Sequence, residues 1–135
     1  MMIMLDTSIC IYVLKEHPAQ VLSRFQQHET LHLSSIVCAE LWSGIEKSPA
    51  KTRKARESQL LYFLSLLTVC DWDENAACVY ARLHTDLQHR GLMIGNMDLL
   101  IAAHARSLDA ILVSNNVREF SRIEGLRLEN WAESD

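Results

Sequence analysis

The sequence predicts an α/β domain built on a mainly parallel sheet, and three observations carry that prediction. Short apolar runs such as "MIML" (2–5) and "AILVS" (110–114) have the unbroken aliphatic character of strands buried on both faces. Stretches with apolar residues at helical spacing separate them, so strand and helix alternate. The composition is that of an ordered globular chain: of 135 residues, 49% are hydrophobic and 22% charged, with two prolines and four glycines. A single domain over 1–135 is expected at this length.

The first run ends at Asp6, and Thr7 and Ser8 offer N-caps for a helix over "TSICIYVLK". Pro18 opens a second helix with Val21, Leu22 and Phe25 on one face. "LHLSS" (31–35) predicts a strand whose serines cap the helix "IVCAELWSGIEKS". Residues 51–67 begin with "KTRKARES" and finish with "QLLYFLSLL", which predicts a helix wetted at its start and buried at its end. After a brief strand, "TVC", the residues Trp72, Ala76, Val79, Tyr80, Leu83 and Leu87 repeat at helical spacing up to a stop at Gly91. Asp98 then opens a helix that is otherwise aliphatic and alanine-rich, "AILVS" follows, and a last strand lies around "LRLEN". Right-handed crossovers leave few ways to assemble such a series.

Several classes of function are disfavoured. "MMIMLDTSIC" lacks the basic start of a secretory signal, and no apolar stretch is long enough to span a bilayer, so a cytoplasmic protein without membrane contact is expected. Cys10, Cys38, Cys70 and Cys78 form no Cys-x-x-Cys pair and read as small core residues. The six histidines form no zinc-binding pattern and read as surface or incidental. The net charge of −4 means that any contact with phosphates must come from a local basic patch.

In open α/β sheets the site lies beyond the carboxyl ends of the strands. Four acids fall there: Asp6 after the first strand, Glu40 one turn into the helix after "LHLSS", Asp98 at a buried helix start, and Glu119 after "AILVS". Singly, Asp6 and Asp98 also fit helix N-terminal acids favoured by the dipole, and Glu119 fits a solvated loop charge. Glu40 differs. It shares a helix side with Ile36, Val37 and Gly44, with no lysine or arginine one turn away, so its half-buried carboxylate needs another partner. If the four converge, two unit charges about 4 Å apart repel by about 4 kcal/mol at an effective dielectric of about 20. Such a cluster binds cations or protons, and carboxylate oxygens without histidine or cysteine select Mg²⁺ or Mn²⁺. Ions held this way catalyse phosphodiester hydrolysis, which points to a nuclease.

The fragments "MLDTSICIY", "SSIVCAELWSGIEKS" and "IGNMDLLIAAHARSLDAILVSNNVREFSRIEGLRLENW" resemble, in order and spacing, the PIN-domain ribonucleases and among them the VapC toxins of type II toxin–antitoxin pairs. The resemblance covers nearly the whole chain. It implies a three-layer α/β/α fold with a central sheet of about four to five strands. It also implies a Mg²⁺- or Mn²⁺-dependent endoribonuclease toxin that cuts structured RNA, commonly transfer RNA, is inhibited by a cognate antitoxin, forms a homodimer, and meets DNA only through the antitoxin. Asp6, Glu40 and Asp98 match the family's core metal-binding acids, and Ser8 matches a small polar residue that helps position them. One departure stands out: many PIN domains carry an aspartate two residues after the hydroxyl that ends the fourth conserved strand, where this chain has Asn116. Glu119, one turn on, would supply the missing carboxylate, leaving Asn116 an amide-oxygen or water-mediated contact.

For RNA, Lys47, Lys51, Arg53, Lys54 and Arg56 place five cations within ten residues, and Arg90, Arg118 and Arg122 lie near loops that flank the acids. Their phosphate contacts would weaken with salt, and a solvated helix face is the alternative. Receiver domains and haloacid-type phosphatases also gather acids at strand ends. The first needs a paired early acid and a lysine after the last core strand, and the second needs aspartate where this chain has Ser8. A PIN-like binding or assembly module, catalytically silent and acting with an antitoxin at a promoter, is the remaining alternative.

Overall fold

The computed structural model describes residues 1–132; the last three residues of the expected 1–135 domain lie outside the described residues. The order is β1 (Ile3–Leu5), α1 (Thr7–Glu16), α2 (Ala19–Gln26), β2 (His32–Ser34), α3 (Ser35–Glu46), α4 (Ala50–Ser65), β3 (Thr68–Cys70), α5 (Glu74–Arg90), α6 (Asn96–Ser107), β4 (Ile111–Val113), α7 (Val117–Phe120) and β5 (Arg127–Glu129). The five strands form one sheet in the order β3-β2-β1-β4-β5, and every neighbouring pair is parallel. β1 is the central strand and β4 its inner neighbour, and both read as unbroken aliphatic runs because helices cover both faces. Met4, Leu5, Leu33, Leu112 and Val113 are buried, each contributing on the order of 1.5–3 kcal/mol.

The chain winds outward from β1 through β2 to β3, then returns past β1 to start again at β4. With right-handed crossovers, that reversal puts α1 to α4 on one face and α5 to α7 on the other, the expected three layers. The helix contacts agree: α1, α3 and α4 pack together, and α5 packs along α6. The reversal falls between β1 and β4, so the crevice at their carboxyl ends is the place where this topology leaves room for a site.

Several local expectations are corrected. Asp6, not Thr7 or Ser8, caps α1, accepting a hydrogen bond from Ile9 N–H. Ser34 caps α3 as expected, and α5 stops at Gly91 in the left-handed conformation that favours glycine. Trp72 lies before α5 rather than on it and donates its indole N–H to the Leu100 carbonyl on α6. The end of α4 buries only Leu60 and Phe63; Leu61 and Tyr62 face outward, 52% and 69% exposed, because a single helical stripe meets the core. Of the cysteines Cys10 alone is buried, and Cys78 is exposed. His104 is buried against Ser34 instead of lying at the surface, its Nδ1 being 2.7 Å from Ser34 Oγ. Among the described residues, no helix is long and apolar enough to cross a membrane.

Candidate active site

The four acids reach the crevice by different routes. Asp6 is the residue immediately after β1 and stays in the ladder, its N–H donating to the Val113 carbonyl on β4. Its side chain is 2% exposed, and three neutral donors hold it. Ile9 N–H and the Ser8 hydroxyl donate to Oδ1 at 2.9 and 2.8 Å, Ser8 is also 2.9 Å from Oδ2, and the Ser114 hydroxyl donates to Oδ2 at 2.5 Å. Burial pushes the Asp6 pKa up, the donors from Ser114, Ile9 and Ser8 oppose it, and Glu40 adds to it. Ser8 and Ser114 are in turn tied to the loop after β4: Asn115 N–H donates to Ser8, and Asn116 N–H donates to Ser114.

Glu40 lies in the second turn of α3, half-buried, with its Oε1 accepting a 2.6 Å hydrogen bond from the Thr7 hydroxyl. Asp98 is in the first turn of α6, whose N-cap Gly95 supplies no side chain. Burial raises its pKa to about 6, with Asp6, Glu40 and Glu119 adding to the rise and a hydrogen bond from Asn116 opposing it. Glu119 is half-buried in the single turn of α7. Asp98 thus feels the charges of the other three acids and Asp6 feels that of Glu40, and none of the four is in an ion pair among the described residues, whose ion pairs use Glu129, Asp86 and Asp109.

This donor set fits a hard divalent cation, since it gathers negative oxygens without lysine, arginine, histidine or cysteine among them. As the side chains stand, no three His, Cys, Asp or Glu groups among the described residues lie close enough together to hold a metal ion.

Asn116 Nδ2 donates toward Asp98 Oδ2 at 3.4 Å, which ties the loop after β4 to the first turn of α6. Sequence reasoning also passed over Thr7, whose neighbours in "LDTS" suggested only a cap, and Ser114, noted only as the end of a strand. The space beside Gly44 is open: a Cβ there would meet nothing within 4 Å. Gly44 and Glu40 line a groove of about 610 Å³ between α1, α3 and α4, floored by Ile11, Leu41 and Leu60 and edged by Lys15, Lys47 and Arg56.

The basic residues divide into two groups. Arg53 donates to the Glu46 and Ser48 carbonyls, and Arg56 donates to the Ser48 hydroxyl, so both close the end of α3. Arg90 is held by Asp86 and the Arg122 carbonyl, and Arg122 by the Met93 carbonyl. Lys47, Lys51, Lys54 and Arg118 are exposed and form no ion pair among the described residues.

A carboxylate-lined crevice at the switch point of a parallel sheet is the arrangement of a PIN domain, and the PIN domain family model matches residues 3–126. The chain belongs to that family. It is 44% identical over 134 residues to the Ribonuclease VapC2 of Rickettsia felis, covering 97% of this chain and 98% of the relative. The tRNA(fMet)-specific endonuclease VapC of Shigella flexneri is 40% identical over 130 residues, covering 96% and 97%. Among solved structures, VapBC2 from Rickettsia felis bound to a DNA fragment from its promoter matches with a TM-score of 0.92 at 42% identity, covering 97% of this chain and 99% of that one.

Proposed function

We propose that this chain is a Mg²⁺- or Mn²⁺-dependent endoribonuclease toxin that cleaves structured RNA, transfer RNA in particular, in the cytoplasm and is held inactive by a cognate antitoxin. The observation that carries this reading is the meeting of four unpaired carboxylates beyond β1 and β4, with the Asp98 pKa at about 6. Asp6, Glu40 and Asp98 would hold the ion, and Glu119 would help hold a second ion or orient the attacking water. The bound ion would supply Lewis-acid polarisation of the phosphodiester and a water acidic enough to attack near neutral pH. Asp6 is the rigid member of the set, because Ser8, Ser114 and Ile9 fix both of its oxygens. Asp98, with its pKa raised to about 6, is ionised and ready to meet a cation at pH above about 6.

Lys47, Lys51, Lys54 and Arg118 are exposed cations free to meet RNA phosphates, and Arg53 and Arg56 lie beside them. The name of the Shigella flexneri relative supports transfer RNA as the substrate class. The Rickettsia felis VapBC2 structure supports an antitoxin partner, with DNA reached through it. The apolar groove that opens beside Glu40 offers that partner a seat, and a homodimer completes the proposal.

Incubating the purified protein with transfer RNA and Mg²⁺ tests the reading. Fragments with 3′-hydroxyl and 5′-phosphate ends are expected, and Asp98→Asn lowers the rate about a hundredfold or more, beyond the usual effect of altering a ligand's supporting residue. A 2′,3′-cyclic phosphate would mean attack by the RNA's own 2′-hydroxyl and would discard the water mechanism. No cleavage across a broad RNA panel would leave the chain a binding module.

A further inference from the structure

Thr7 is the first residue of α1. Within a helix, a threonine hydroxyl turns back to the carbonyl one turn earlier, but at the first position the helix has no such carbonyl to offer. The Thr7 hydroxyl points instead across to α3 and donates to Glu40 Oε1 at 2.6 Å, joining residues 33 apart in sequence. Asp6 has three separate donors, whereas this is the one hydrogen bond to the Glu40 side chain among the described residues. Glutamate also has more rotatable bonds than aspartate, so an untethered Glu40 would sample many positions, including ones directed along the open groove beside Gly44.

We infer that Thr7 is the positioning residue of Glu40: its hydroxyl fixes Oε1 and leaves Oε2 as the oxygen available to a divalent cation. The inference rests on the proposed metal-dependent reading and adds to it how one member of the acid set is preorganised. It assigns the hydroxyl, rather than the β-branched shape, as the functional part of Thr7.

Calorimetric Mn²⁺ titrations of the metal-free protein test it, together with the Mn²⁺-induced rise of each variant from its own metal-free melting temperature. Thr7→Val keeps the shape and loses the donor, and it should weaken Mn²⁺ affinity about tenfold, the lower end for a supporting residue of a metal ligand. Thr7→Ser keeps the donor and should stay within about threefold of the original chain. In a Glu40→Gln background, Thr7→Val should cause no further loss. In RNA cleavage the Thr7→Val defect should shrink as Mn²⁺ is raised, because the loss is in holding the ion. Mn²⁺ binding by Thr7→Val as tight as the original overturns the assignment, and Thr7→Ser as weak as Thr7→Val replaces it with methyl packing. Absence of Mn²⁺ binding by the original chain would instead remove the metal reading, and this role with it.

Discussion

Asp98 carries the clearest energetic signature of the site. Its pKa rises from 3.8 to about 6, first through burial and then through the charges of Asp6, Glu40 and Glu119. The folded state therefore holds a proton between about pH 4 and 6 that the unfolded chain has released, so this residue's contribution to stability falls as pH rises through that window. Above about pH 6 the metal-free protein carries an ionised carboxylate that its surroundings disfavour. Asp98→Asn removes that charge. In EDTA, the variant should melt higher than the original chain at pH 7.5, with the gap narrowing as pH falls below 6. Comparing the two chains isolates this residue, because His104 acts in the opposite sense: burial lowers its pKa, so its contribution to stability is lost as pH falls below the histidine range. A constant gap from pH 5 to 8 would mean that neither burial nor the neighbouring acids raise the Asp98 pKa in the folded state.

At the level of elements, the basic run after α3 has two tasks. Arg53 reaches back to the Glu46 and Ser48 carbonyls at 2.8 and 3.2 Å, where the end of α3 has unpaired acceptors and a negative dipole end. Arg53→Ala should lower the melting temperature by a few degrees, whereas Lys51→Ala and Lys54→Ala, with no such contacts among the described residues, should leave it unchanged. Equal shifts for all three in thermal melts would refute the division. This is also where sequence reading reached its limit. β1, β4 and the α6 stripe were legible because period and burial are local properties, and the four acids were legible because strand ends are. Thr7 and Arg53 were not, since each depends on which groups a second element brings within about 3 Å. His104 was missed for the same reason: its partner Ser34 comes from β2, on the opposite side of β1 from the strand that follows α6.

The whole molecule has a charge conflict to resolve. Its net charge is −4, and its deepest acid cluster lies where a phosphodiester would have to come. A divalent cation would offset part of the negative charge at the crevice and would bind the folded state alone, so millimolar Mg²⁺ should raise the melting temperature of this chain and do so less for Asp98→Asn. Away from the crevice, RNA phosphates would in the proposed function meet exposed cations without partners among the described residues, such as Lys51 and Lys54 on α4, Lys47 at the end of α3 and Arg118 on α7, because Arg53, Arg56, Arg90 and Arg122 already have partners within the protein. Each phosphate contact releases counterions, so the logarithm of affinity falls with the logarithm of salt by about 0.7 to 0.9 per contact. Measured at fixed Mg²⁺ over a range of KCl, the Lys51→Ala/Lys54→Ala double variant should bind RNA more weakly and with a slope shallower by about that amount for each lysine. An unchanged slope would move the RNA to another face, and Arg118 on α7, beside Glu119, would be the next cation to replace.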